Sequence, residues 1–127
     1  DDDNNILNLY KNNLNKLVKY INDQDINSYV NFIIEQLFAA NKYFNDQEPW
    51  KKKSDTVRLN TIMYVSLELI RKISILLYPI IPESSVKALK IFNINEFEIN
   101  FNSINMNDFL KKKSNINKIN ILFKKFE

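Results

Sequence analysis

The 127-residue chain contains no cysteine, no histidine and no glycine. Without cysteine there is no disulfide, and a cytosolic life is comfortable. Without cysteine and histidine, thiolate and imidazole zinc sites are excluded. So are nucleophile–histidine pairs and imidazole general bases. Without glycine, phosphate-cradling loops, the dinucleotide fingerprint and the calcium-binding loop lack the residue their backbone geometry requires. Carboxylate-only chemistry survives these exclusions, and Glu35, Glu48 and Glu68 are conceivable members of such a site. No geometry in the sequence draws them together. No run reaches ~18 consecutive apolar residues, so no membrane span is expected.

What is present fits a folded domain. Hydrophobic residues make up 45% and charged residues 26%, values of a globular protein and not of a disordered tail. The length suits one domain and is short for two separate cores. The formal net charge is +3 and the pI about 9.0, compatible with nucleic acid and equally with an ordinary solvated surface. Asn and Lys recur throughout, which reads as the drift of an AT-rich genome and dilutes the meaning of any single one. The chain opens Asp1-Asp2-Asp3, the wrong sign for a signal or transit peptide, and does not begin with Met. It is read as a piece of a longer protein.

Helical periodicity dominates the first 93 residues. Leu7, Tyr10, Leu14, Leu17 and Ile21 recur at three- and four-residue steps, one face of an amphipathic helix over Asn4 to Asn22. Asp23-Gln24-Asp25 interrupts it and offers Asp25 as the cap of a second helix, Ile26 to Asn45. That helix has a broad stripe of Tyr29, Val30, Ile33, Ile34, Leu37 and Phe38. Pro49 ends it by Glu48, because the residue before proline is pushed out of helical geometry. The basic run Lys51-Lys52-Lys53 follows.

Ser54-Asp55 can cap a third helix, Thr56 to Tyr78, whose buried side is expected to hold Ile62, Met63, Leu69, Ile70, Ile73, Leu76 and Leu77. It is the most apolar of the set and belongs at the centre. Pro82 suits the first turn of a fourth helix running through Phe92. Beyond Asn93, the alternation of Phe97, Ile99 and Phe101 predicts an extended stretch. A short helix is expected over Met106 to Lys111, then an irregular tail over Asn115 to Glu127. The expected fold class is all-α: an antiparallel helix bundle over residues 1–93, with an irregular C-terminal appendage, 94–127, in the same domain.

Several motifs, in order, carry a family resemblance. Asn41-Lys42-Tyr43-Phe44, four residues, then Pro49-Trp50 resembles a signature of methionyl-tRNA synthetases: Asn, a basic residue, Tyr, a hydrophobic residue, a gap of four and Pro-Trp. Glu48-Pro49-Trp50-Lys51, a basic stretch and Asp55 look like the bacterial form. Leu67-Glu68-Leu69-Ile70-Arg71, with Ile75 through Pro82, is similar to the family's long helix and its two-proline exit. Leu122-Phe123-Lys124-Lys125-Phe126-Glu127 resembles the family's closing Leu-Phe-Pro-Arg-Ile-Glu, with Lys124-Lys125 in place of Pro-Arg. The resemblance is good over Asp25 to Phe92 and weak elsewhere. The same type of domain in another class I synthetase is a poorer fit, because Asn-Lys-Tyr paired with Pro-Trp favours methionine.

The resemblance implies a specific role. The family joins methionine to its tRNA in a class I catalytic domain, using ATP with Mg. Its helical C-terminal domain binds the CAU anticodon, and the Trp matching Trp50 stacks on an anticodon base. A tryptophan held after a rigid proline at a helix break can offer a flat face to a splayed base, the form in which RNA is mostly read. The implied nucleic-acid-binding residues are therefore Trp50, Pro49, Lys51, Lys52 and Lys53, with the lysines near backbone phosphates. For Asn41 and Tyr43, buried polar roles that fix the turn near Pro49 are expected instead of RNA contact. Arg71 is expected to pair with Glu68.

The implied partners are the anticodon loop of tRNA(Met) and the catalytic domain of the same polypeptide. A monomer in the bacterial cytoplasm is expected, with an organelle as the second location. No catalytic residue, cofactor or metal is expected in this chain itself.

Departures from the pattern bear on this. In the family an Asn and an Arg on a preceding helix also contact anticodon bases. Here the arginines are Arg58 and Arg71, and neither aligns with that motif. The first helix of the domain is therefore expected upstream. Lys51-Lys52-Lys53-Ser54 and Lys111-Lys112-Lys113-Ser114 superficially look like the ATP-site Lys-Met-Ser-Lys-Ser loop, but neither contains it. The alternative function is a structural or partner-binding helical module without an RNA role, motivated by the wide apolar surface of the second and third helices.

Overall fold

The computed structural model describes residues 2–106, 110 and 115–118. Its helices are α1 (Asp2–Asn22), α2 (Ile26–Gln47), α3 (Thr56–Leu77), α4 (Pro82–Lys90) and the single turn α5 (Phe101–Ile104). No strand occurs among the described residues, as the all-α expectation requires.

The helix boundaries follow from local chemistry. Gln24 takes a left-handed φ of 58° in the tight α1–α2 turn. Asp25 then caps α2, its carboxylate accepting the Ser28 N–H at 3.1 Å. Asp55 does the same for α3, accepting from the Arg58 N–H at 3.0 Å. Pro82 stands in the first turn of α4, where its missing N–H costs nothing.

Three side-chain bonds define how the long helices run. The Tyr43 hydroxyl near the end of α2 donates to Asp3 at the start of α1, at 2.7 Å. The Tyr29 hydroxyl near the start of α2 donates to the Leu76 carbonyl at the end of α3, at 2.7 Å. Arg58 at the start of α3 also reaches Asp3. α2 is therefore antiparallel to both neighbours, an up-down-up arrangement. Tyr10, Leu17, Tyr29, Ile33, Ile62, Leu69 and Leu76 fill the space between them, and α4 packs on α3.

The apolar stripes of α2 and α3 are wider than their neighbours cover. Ile34, Leu37 and Phe38 of the α2 stripe are exposed, and so are Met63 and Ile70, which were expected on the buried side of α3. Leu37, Ala40, Phe44, Met63 and Ile70 line part of an apolar groove of about 530 Å³ between α2, α3 and α4.

The opposite side of α3 carries a buried polar cluster. Arg71 pairs with Glu68, as expected, at 2.7 Å, and both side chains are fully buried. Arg71 also donates to the Ser103 carbonyl at 2.8 Å and the Met106 carbonyl at 2.7 Å. Lys72, equally buried, donates to the Ile104 carbonyl, and Glu68 accepts the Leu110 N–H at 2.7 Å. These groups satisfy backbone that α5 and its flanks would otherwise bury without partners. Burial pushes the Lys72 ammonium down to about 8; adjacent Arg71 adds to the shift and Glu68 opposes it.

The C-terminal stretch departs from its expected form. The Phe97–Ile99–Phe101 alternation is not an extended strand: Glu96–Glu98 is a 3₁₀ turn, and Phe101 opens α5. Asparagines decide this. Asn95 and Glu98 form a capping box, with Asn95 N–H donating to Glu98 at 2.8 Å. Asn100 caps α5 by accepting from Ser103 N–H at 3.1 Å. Such local side-chain bonds compete with strand pairing. Helix occurs at Phe101–Ile104, ahead of the expected Met106–Lys111; Met106 is not helical, and residues 107–109 and 111 lie outside the described residues. Asn115–Lys118 is irregular, as expected, while the rest of the tail, with the closing motif at 122–127, lies outside them. Asn117 ties this segment to the end of α4 through the Ile91 and Lys90 carbonyls, each at 2.9 Å.

Candidate nucleic-acid interface

The α2–α3 corner gathers Pro49, Trp50 and the basic run. α2 ends where Glu48 turns left-handed, φ 44° and ψ 57°, its N–H bonded to the Asn45 carbonyl. For a residue other than Gly, Asn or Asp this region is unfavourable. Pro49 denies Glu48 the right-handed helical region and cannot extend the α2 ladder, so the helix ends here. Pro49–Lys51 is a single 3₁₀ turn, and Asp55 N–H bonds to Lys52 carbonyl at 3.1 Å before α3 begins.

Within this corner the residues have different situations. Pro49 is buried and supports the turn. Trp50 is 51% exposed, and its ring lies 6.1 Å from Phe44, tilted by 57°. A large aromatic left half open on a braced turn is a stacking platform by shape. Lys51 pairs with Glu48 at 2.7 Å on the open surface, where such a pair is weak and easily exchanged for a phosphate. Lys52 is partly covered and Lys53 exposed.

Tyr43 is buried, as expected of a residue that fixes this turn, but Asn41 is exposed. Two residues along a helix is about 200° of rotation, so both cannot face the core.

Sequence reasoning missed the group behind the corner. Arg58 grips both carboxylate oxygens of Asp3, one at 2.9 Å, and donates to Gln47 Oε1 at 2.6 Å. Asp3 is buried, and the Arg58 bond, with Tyr43 adding to it, holds its carboxyl below the usual range against the effect of burial. Burial and the Asp3 bond raise the Tyr43 phenol. The available signal was Asp3 falling four residues before Leu7 on the buried face of α1; it was read as part of an acidic N-terminus instead.

A family profile described as the anticodon binding domain of methionyl tRNA ligase matches residues 1–127. A methionine–tRNA ligase of Rickettsia conorii is 36% identical over 104 residues, 81% of this chain and 20% of that protein. One from Brucella suis is 36% identical over 77 residues, 60% of the chain and 15% of the relative. One from Rhizobium meliloti is 43% identical over 60 residues, 46% of the chain and 12% of the relative. The chain thus spans a fifth or less of the curated relatives it matches.

Proposed function

The chain belongs to the family of methionyl-tRNA ligase anticodon-binding domains, and from that membership we propose that its α2–α3 corner reads the CAU anticodon loop of tRNA(Met). The reaction it serves is the ATP-dependent attachment of methionine to that tRNA, carried out in a catalytic domain of the same polypeptide. ATP and Mg belong to that domain; this chain contributes recognition. The working surroundings are the bacterial cytoplasm.

One observation carries the reading: Trp50 stands half exposed on a proline-braced turn, backed by Phe44 and followed by Lys51, Lys52 and Lys53. A base unstacked from the loop meets the indole, and the lysines meet the flanking phosphates. Stacking of this kind is worth about 1–3 kcal/mol per base, or roughly 5- to 150-fold in affinity.

The test is binding of the chain to a stem-loop RNA carrying CAU and to one with a changed anticodon, across a salt series. Preference for CAU, reduced within that range by Trp50→Ala, is the expected result. In the ligase, the same substitution should cut tRNA charging and leave amino-acid activation without tRNA nearly unchanged. Charging at the unsubstituted rate sinks the proposal.

The apolar groove favours a second reading, a helical module that binds a protein partner and no RNA. Equal, salt-sensitive binding to both anticodons, or no binding to either, moves the weight to it.

A further inference from the structure

We propose that Asp3, Tyr43, Gln47 and Arg58 form a lock that positions Trp50, with Asp3 on α1 as its keystone. The proposal rests on Trp50 being the base-stacking residue. The geometry is as follows. Gln47 is the last residue of α2, and Arg58 lies in the first turn of α3. The ten residues between them contain Glu48, Pro49, Trp50 and the lysines. The Arg58 guanidinium spans the base of this arc, donating to Gln47 Oε1 at 2.6 Å and to both oxygens of Asp3. Tyr43, one helical turn before Gln47, donates to the same carboxylate at 2.7 Å.

Each member has a defined part. A guanidinium fork gripping a carboxylate at two points fixes direction as well as distance. Asp3 comes from a helix outside the corner, so it references the end of α2 and the start of α3 to the body of the bundle. Asp3 and Tyr43 are buried and Arg58 is about a third exposed, so the carboxylate at the centre of the lock is largely shut off from solvent. It also opposes relaxation of Glu48 out of its left-handed conformation, because Gln47 is the residue immediately before it. None of the four touches the base; all act through the placement of the indole.

Trp50 is the only tryptophan in the chain, so its fluorescence reports the corner without ambiguity. The experiment compares the unsubstituted chain, Asp3→Asn and Gln47→Leu. Asp3→Asn keeps the shape and removes the charge and one acceptor. Gln47→Leu leaves the Asp3–Arg58 pair intact and releases only the end of α2, which keeps the proposal testable if Asp3→Asn does not fold. Far-UV circular dichroism confirms the helices. Acrylamide quenching and time-resolved anisotropy of Trp50 then read its mobility.

Faster local motion and stronger quenching in a folded variant are expected. Binding of the CAU stem-loop should weaken about two- to tenfold, and this loss should vanish when the same variants are made in a Trp50→Ala background. Unchanged quenching and anisotropy in both variants overturn the lock. So does an equal loss of binding with and without the indole, which is what general destabilisation produces. If Trp50→Ala alone leaves RNA binding intact, the stacking role is what falls, and with it any effect of the lock on binding. The fluorescence then judges the lock as a mechanical device alone.

Discussion

Replacing Lys72 with Met should flatten the alkaline rise in the stability of this bundle. Lys72 is fully buried on α3, bonded to the Ile104 carbonyl, 5.8 Å from the centre of the Tyr10 ring and beside Arg71 and Glu68. Burial lowers its ammonium from 10.5 to about 8. At about 1.36 kcal/mol per unit, holding the charged form inside the fold at neutral pH costs on the order of 3 kcal/mol relative to the neutral amine. The unfolded chain keeps this proton up to its ordinary value, whereas the folded chain releases it near the lower one. The unfolded state therefore binds more protons between the two, and stability rises with pH across that window.

From about pH 7 to about pH 9.5 the gain from this residue is about 2 kcal/mol. The upper limit matters because burial raises the phenols of Tyr10 and Tyr29, so ionisation of tyrosines in the unfolded chain erodes stability above about pH 10. Met preserves the length and apolar stem of the side chain and removes the titrating group. Urea unfolding followed by far-UV circular dichroism, at both ends of the window and for both proteins, gives the comparison. The expected result is an increase in unfolding free energy in the unsubstituted chain that the variant lacks. The absolute stability of the variant at neutral pH is a balance of the relieved charge against the orphaned Ile104 carbonyl, so the slope is the decisive quantity. The same slope in both proteins refutes the assignment of a buried, proton-releasing lysine.

Two further outcomes are expected. Tyr29→Phe removes the hydroxyl that donates to the Leu76 carbonyl inside the core and should cost about 1–2 kcal/mol. A near-unchanged urea midpoint would show that this bond does not join α2 to α3. Changing Lys51, Lys52 and Lys53 together to Gln should lower the salt dependence of stem-loop binding by up to about 2 in the log–log slope, at about 0.7 per contact. A slope that stays the same places the phosphate contacts elsewhere.

Much of the bundle was legible in the sequence because helix formation and termination are local. The three- and four-residue spacing of Leu7, Tyr10 and Leu17, the caps at Asp25 and Asp55, and Pro49 and Pro82 each act within a turn or two of chain. The Glu68–Arg71 pair was legible for the same reason, lying three residues apart on one helix. The break that ends α2 just before Trp50 follows from Pro49.

Tertiary structure decided the rest, because those choices depend on residues far apart in the chain. An apolar stripe does not say which part of itself a neighbour will cover, so Met63 and Ile70 were expected inside and lie outside, as do Leu37 and Phe38 of the α2 stripe. The Phe97–Ile99–Phe101 alternation would make a strand given a partner; with none beside it among the described residues, the caps of Asn95 and Asn100 prevailed. The bonds from Arg71 and Lys72 to carbonyls 32 residues on, and from Arg58 to Asp3 across 55, leave no local pattern. A buried charge is tolerated only where the fold assembles its partners. Which charges in this chain are buried was therefore settled chiefly by helix packing, with only a faint local signal such as the place of Asp3 four residues before Leu7.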